Sequence, residues 1–109
     1  MQPDETILTT MLTEIERRKT ADPETSYTAR LYAKGMHKIA QKVGEEAVET
    51  VVAAVAESNE RLARESADLL YHLLILWSVK GIAPAEVWTE LDRRFGAAGP
   101  ALKEKRKKG

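Results

Sequence analysis

The segment Gly44-Glu45-Glu46-Ala47-Val48-Glu49 is followed by Glu65-Ser66-Ala67-Asp68, so five carboxylates fall in two clusters. Each cluster has helical spacing. Glu46 and Glu49 are i,i+3, Glu45 and Glu49 are i,i+4, and Glu65 and Asp68 are i,i+3. Side chains at these spacings converge, and like charges so placed repel unless a cation joins them. Past Asp68 the chain turns apolar, from Leu69 to Trp77. Carboxylates set against an apolar core are costly unless neutralised. A hard divalent cation prefers oxygen ligands, and Mg2+ in particular combines carboxylates with substrate phosphates and water. An ion held there could neutralise a polyphosphate, orient it and activate a water. The matching reaction is hydrolysis of a phosphoanhydride. Glu-Glu-x-x-Glu alone is weak evidence, because most such runs are solvated helix faces. The second cluster strengthens the metal reading without closing the other.

Arg30, Lys34, Lys38 and Lys42 recur every four residues and lead into the first cluster. On a continuous helix they line one side, where they could contact phosphate oxygens. The plainer reading is a solvated face with weak ion pairs.

The bulk composition narrows the alternatives. The chain has 109 residues, 43% hydrophobic and 31% charged, as expected of one globular domain. Seventeen Lys and Arg balance seventeen Asp and Glu, so no general attraction to nucleic acid or anionic membrane is expected. Absence of cysteine excludes disulfides, thiolate catalysis and Cys-ligated zinc. No Walker loop or Ser-His-Asp nucleophile motif is present. The Leu69–Val79 run, interrupted by Tyr71, His72 and Ser78, is too short to span a bilayer. Met1–Glu5 lacks a signal pattern. The expectation is a soluble cytoplasmic protein without nucleic-acid or membrane partners.

The periodicity that must position these groups is helical throughout. A first helix is predicted over about Asp4–Lys19, with Asp4 as cap and Ile7, Leu8, Met11, Leu12 and Ile15 on one face. A second starts near Tyr27 with Ser26 or Thr25 as N-cap, and Gly35 either breaks it or kinks it. A third spans about Met36–Glu57. Its apolar arc (Ile39, Val43, Ala47, Val48, Val51, Val55) is expected to be buried, with the carboxylates on the remaining side. Gly44 within it costs stability unless something approaches the backbone there. A fourth, capped by Asn59, runs from Glu60 to Lys80 and stops at Gly81. Its end is apolar all round, which predicts a subunit interface along it. His72, one turn past Asp68, reads as a core or interface histidine rather than a ligand. A short amphipathic helix follows from Glu86 to Arg94. The domain is therefore set at 1–96, with 97–109 as a mobile basic tail.

Several words of the sequence carry a more specific likeness. Glu45-Glu46-x-x-Glu49 with Glu65-x-x-Asp68 resembles the metal signature of the all-α, MazG-like nucleoside triphosphate pyrophosphatases. Ser26-Tyr27-Thr28-Ala29-Arg30-Leu31, Lys38 to Glu49, and Asp68-Leu69-Leu70-Tyr71-His72-Leu73-Leu74 are similar to the phosphoribosyl-ATP pyrophosphatase family of histidine biosynthesis. The likeness covers about Leu8 to Arg94. It implies an all-α bundle of four to five helices, interlocked in a homodimer. It further implies Mg2+-dependent hydrolysis of phosphoribosyl-ATP to phosphoribosyl-AMP and pyrophosphate. By the same resemblance Glu46, Glu49, Glu65 and Asp68 bind metal, and Glu45 is a further ligand or a water-orienting base. Arg30, Lys34, Lys38 and Lys42 are phosphate candidates from spacing alone. A pyrophosphatase acting on ordinary or damaged nucleoside triphosphates would carry the same acidic motif. A non-catalytic helical dimer is the alternative outside catalysis.

Overall fold

The computed structural model describes residues 2–96; the expected C-terminal tail lies outside them. These residues form five α-helices and, among themselves, no strand: α1 (Ile7–Arg18), α2 (Tyr27–Lys34), α3 (Met36–Ala56), α4 (Asn59–Lys80) and α5 (Pro84–Phe95). The expected all-α class holds. None of the helices is long and apolar enough to cross a membrane.

Local chemistry explains the boundaries. Ser26 caps α2 by accepting the Ala29 N–H at 3.2 Å, and Ser58, not Asn59, caps α4 by accepting the Arg61 N–H at 3.2 Å. Asp4 lies one turn before α1, where its carboxylate accepts from the Thr6 N–H and hydroxyl. Gly81 adopts the left-handed conformation and the Ile82 N–H returns to the Trp77 carbonyl, closing α4. Pro84 then opens α5, and Glu86 reaches back to the Ala83 N–H at 2.8 Å.

Gly35 resolves the ambiguity between α2 and α3. Its backbone sits at φ 96°, ψ 172°, a region essentially reserved for glycine. The helix breaks there, so the basic row is split into Arg30 and Lys34 on α2 and Lys38 and Lys42 on α3. A Cβ at Gly35 meets no neighbouring atom, so Gly35→Ala costs only backbone strain. Its expected destabilisation is about 1–3 kcal/mol, measured by denaturant unfolding with an unchanged m-value.

The two-residue connection Glu57-Ser58 folds α3 and α4 into an antiparallel hairpin. The core gathers at one end of it. Ile39 of α3 and Leu74 and Ile75 of α4 pack with Ile15 of α1 and Leu31 of α2, each no more than 2% exposed. Glu16 ties α1 to α4 by accepting from the Ser78 hydroxyl, and Trp88 of α5 meets Trp77 edge to face at 5.7 Å. The other end of the hairpin projects from this core. There Val48, Val51, Val52 and Val55 are 44–80% exposed. The expected burial of the whole apolar arc of α3 therefore does not occur within one chain. Conversely, the apolar end of α4 is largely covered by the chain's own helices, with Leu70 its exposed exception.

Candidate metal centre

The carboxylates lie midway along the hairpin, between the packed core and the projecting end. The i,i+3 spacing on α3 brings Glu46 and Glu49 to one side, and the antiparallel register sets Glu65 of α4 opposite. One oxygen from each of the three lies within 4.8 Å of the others. The Thr50 hydroxyl pins this register, reaching the carbonyl of Glu46 at 2.7 Å and that of Glu65 at 3.3 Å. Thr50 was not singled out by sequence; only the cross-helix contact gives it a role.

Burial makes this arrangement costly. Glu46 is 7% exposed and Glu65 8%. The Glu46 Oε2 atom is buried and has no hydrogen-bond partner, although a buried carboxylate oxygen is strongly disfavoured without one. Burial, then the neighbouring Glu49 carboxylate, holds both Glu46 and Glu65 above the ordinary carboxylate range. Two cations partly offset the repulsion: Lys42 lies 3.6 Å from Glu46, and Arg61 3.8 Å from Glu65. Neither reaches the orphaned oxygen. Oxygens bound to one Mg2+ or Ca2+ ion lie at most about 4–5 Å apart, so the trio fits a hard divalent cation with little movement.

The other acidic candidates lie around this trio. Asp68 is exposed and outside the convergence, yet its charge helps to raise both Glu46 and Glu65. Glu45 turns to the neighbouring side, where Gln41 donates to it at 2.7 Å and Lys42 lies 3.4 Å away. Gln41, then Lys42, holds its carboxyl below the usual range, so it is ionised at neutral pH.

The basic candidates divide at Gly35. Lys42 is at the centre itself, and the Lys38 charge reaches Glu45. Arg30 is engaged elsewhere, donating to the Pro23 carbonyl at 2.8 Å and lying over the Tyr27 ring. Lys34 is exposed at the end of α2. The structure places Arg61 in a cleft of about 300 Å³ with Val48, Glu49, Val52, Glu57 and Glu65. Its approach to Glu57 and Glu65 at i,i±4 was the available signal.

His72 behaves as the core histidine expected. It is 4% exposed; Nδ1 lies 2.7 Å from the Asp68 carbonyl and Nε2 2.9 Å from the Tyr27 hydroxyl. A carbonyl only accepts, so Nδ1 carries the proton. In the neutral ring Nε2 therefore accepts from Tyr27. The Tyr27–His72 bond joins α2 to α4 beside the acidic centre, and the Thr28–Tyr71 hydroxyl contact adds a second tie.

Comparison with known proteins identifies the family of the chain. Residues 8–95 match the family described as Phosphoribosyl-ATP pyrophosphohydrolase. A protein of Paramagnetospirillum magneticum called phosphoribosyl-ATP pyrophosphatase is 56% identical over 99% of each chain. Its namesake from Azospirillum brasilense is 54% identical over 93% of this chain and 91% of its own. Another, from Pyrobaculum calidifontis, is 60% identical over 73% of this chain and 84% of its own. An all-α chain whose conformation brings the acidic motifs together, and which matches these proteins over nearly its whole length, belongs to the phosphoribosyl-ATP pyrophosphohydrolase family.

Proposed function

We propose that the protein hydrolyses phosphoribosyl-ATP to phosphoribosyl-AMP and pyrophosphate, using Mg2+ held by Glu46, Glu49, Glu65 and Asp68. The observation that carries the site assignment is the convergence of three carboxylates around a buried, unpartnered Glu46 oxygen, in a chain of this family. When bound, the ion supplies charge neutralisation of the polyphosphate and Lewis-acid polarisation of its oxygens. Water adds across the Pα–O–Pβ bridge: the bridge bond breaks, and a new P–O bond forms to the water oxygen. Glu45, ionised and fixed by Gln41 and Lys42, orients that water and accepts its proton. Lys42 offsets negative charge where substrate meets the carboxylates, and Lys38 extends the positive approach.

Pyrophosphate release from phosphoribosyl-ATP, ATP and deoxynucleoside triphosphates, each with Mg2+, tests the reading. Turnover of phosphoribosyl-ATP that EDTA abolishes is the expected result. Turnover of ordinary triphosphates alone would identify a house-cleaning pyrophosphatase, and no turnover of any would leave a binding module.

We assign the active form as a cytoplasmic homodimer, formed through the exposed valines of α3. Val51 and Val55, 61% and 80% exposed, form an apolar strip on the projecting end of the hairpin, with a burial incentive of about 1–2 kcal/mol each, while Val48 and Val52 line the cleft beside Arg61. A second copy seated there would complete a larger helical bundle. A Val51→Glu/Val55→Glu double variant is expected to sediment as a monomer while keeping its helical ellipticity. A dimer that survives both charges would rule this face out.

A further inference from the structure

Arg61 differs from its counterparts in how it meets carboxylates. Arg17, Arg18, Arg93 and Arg94 each close a hydrogen bond to Glu14 or Glu90 at 3.2 Å or less. Arg61 has two carboxylates near it but sits 3.6 Å from Glu57 and 3.8 Å from Glu65, beyond hydrogen-bond distance of either. Its side chain is half exposed and borders the cleft that also contains Glu49 and Glu65. Its donors are therefore poised for another acceptor in that cleft. On the opposite flank of the acidic trio stands Lys42, so the two cations bracket the centre from α3 and α4. The flanks differ in chemistry. Lys42 has Tyr27 near it, 39% exposed and with Arg30 over its ring, an aromatic surface suited to the nucleoside portion. The Arg61 flank offers a charged fork, acidic groups and valine methyls, with no aromatic ring among its lining residues.

We propose that Arg61 grips the pyrophosphate portion of the substrate, its planar fork bonding two oxygens of the β- and γ-phosphoryl groups across the carboxylates that hold the metal. The inference rests on the proposed Mg2+–polyphosphate reading of this centre. A guanidinium matches a phosphate edge bidentately, which an ammonium cannot do. In the free protein the same group moderates the repulsion around Glu65, and on binding it exchanges two long ion pairs for direct hydrogen bonds.

Calorimetry with Mg2+-pyrophosphate and with AMP, on the wild-type protein and on Arg61→Ala and Arg61→Lys, separates this role from a structural one. Arg61→Ala is expected to weaken pyrophosphate binding by roughly tenfold or more. AMP binding should change by no more than about twofold, and Arg61→Lys should recover part of the loss. Unchanged pyrophosphate binding, equal weakening of both ligands, or failure of the wild type to bind pyrophosphate would overturn the assignment. Helical ellipticity of each variant monitors the fold. These measurements need no turnover, so a failed substrate assignment leaves the Arg61 result readable. Arg61→Ala can in turn fail while the wild type still turns over phosphoribosyl-ATP.

Discussion

Glu49→Gln should lower turnover by about a thousandfold or more, since the several kcal/mol that a bound cation contributes to a reaction correspond to roughly that factor. The same substitution should leave the metal-free protein as stable as before, or more so. Glu49 is the exposed member of the trio, and its carboxylate raises the protonation thresholds of both buried partners. Removing its charge relieves two repulsions and leaves no buried cavity. The expected gain is between a few tenths of a kcal/mol and about 1 kcal/mol. For a domain of this size that corresponds to a melting shift of at most about 4–8 °C. Opposite signs for activity and metal-free stability are the diagnostic, because a merely structural glutamate would lose both together. The measurements are kcat, the melting temperature in EDTA, and the rise in melting temperature on adding Mg2+. Turnover near the wild-type level, or an undiminished Mg2+-induced rise, would refute the role of Glu49 in metal binding.

Most of the architecture was legible because helix periodicity and caps are local properties. Ser26, Gly81 and Pro84 mark ends that one or two residues determine. Gly35 was ambiguous for a physical reason: a glycine weakens a helix whether it kinks within it or breaks it, and only the backbone dihedrals tell which. The apolar arc of α3 was legible as apolar, but periodicity does not say whether a face is covered by its own chain or by another. Val51 and Val55 are exposed, whereas Ile39 on the same helix is fully buried, because α1 and α2 reach only one end of the hairpin. The convergence of Glu46 and Glu49 followed from spacing on one helix. That Glu65 faces them, and that Arg61 enters the same cleft, depends on the register between α3 and α4. A two-residue connection and the Thr50 hydroxyl set that register, and neither carries a strong sequence signal.

Metal removal should reverse the pH dependence of stability just above the ordinary glutamate value of 4.5. Glu46 and Glu65 are both raised above that value in the folded, metal-free chain, chiefly by burial. Between 4.5 and their folded values the native state holds more protons than the unfolded state. Stability therefore falls as pH rises through this window and levels off above it. The carboxylates lowered by their partners, Asp4, Glu14, Glu16, Glu45 and Glu90, act in the opposite sense and at lower pH. Their contributions are complete above the ordinary values and are lost as pH falls through the folded ones, so they leave the upper window to the buried pair. A bound divalent cation demands ionised ligands and thus pulls both groups below their unfolded values. Stability then grows as pH rises, and saturating ion adds about 2.7 kcal/mol at one hundred times its dissociation constant. Melting curves across this window in EDTA and in Mg2+ should consequently slope in opposite directions. The difference should vanish in a Glu46→Gln/Glu65→Gln double variant, which removes both titrations. Parallel slopes in the wild-type protein would mean that the buried carboxylates are not where the cation binds. The unpartnered Glu46 oxygen would then need a different explanation, because burial of an ionised, uncompensated carboxylate is opposed by desolvation at every pH above its own threshold.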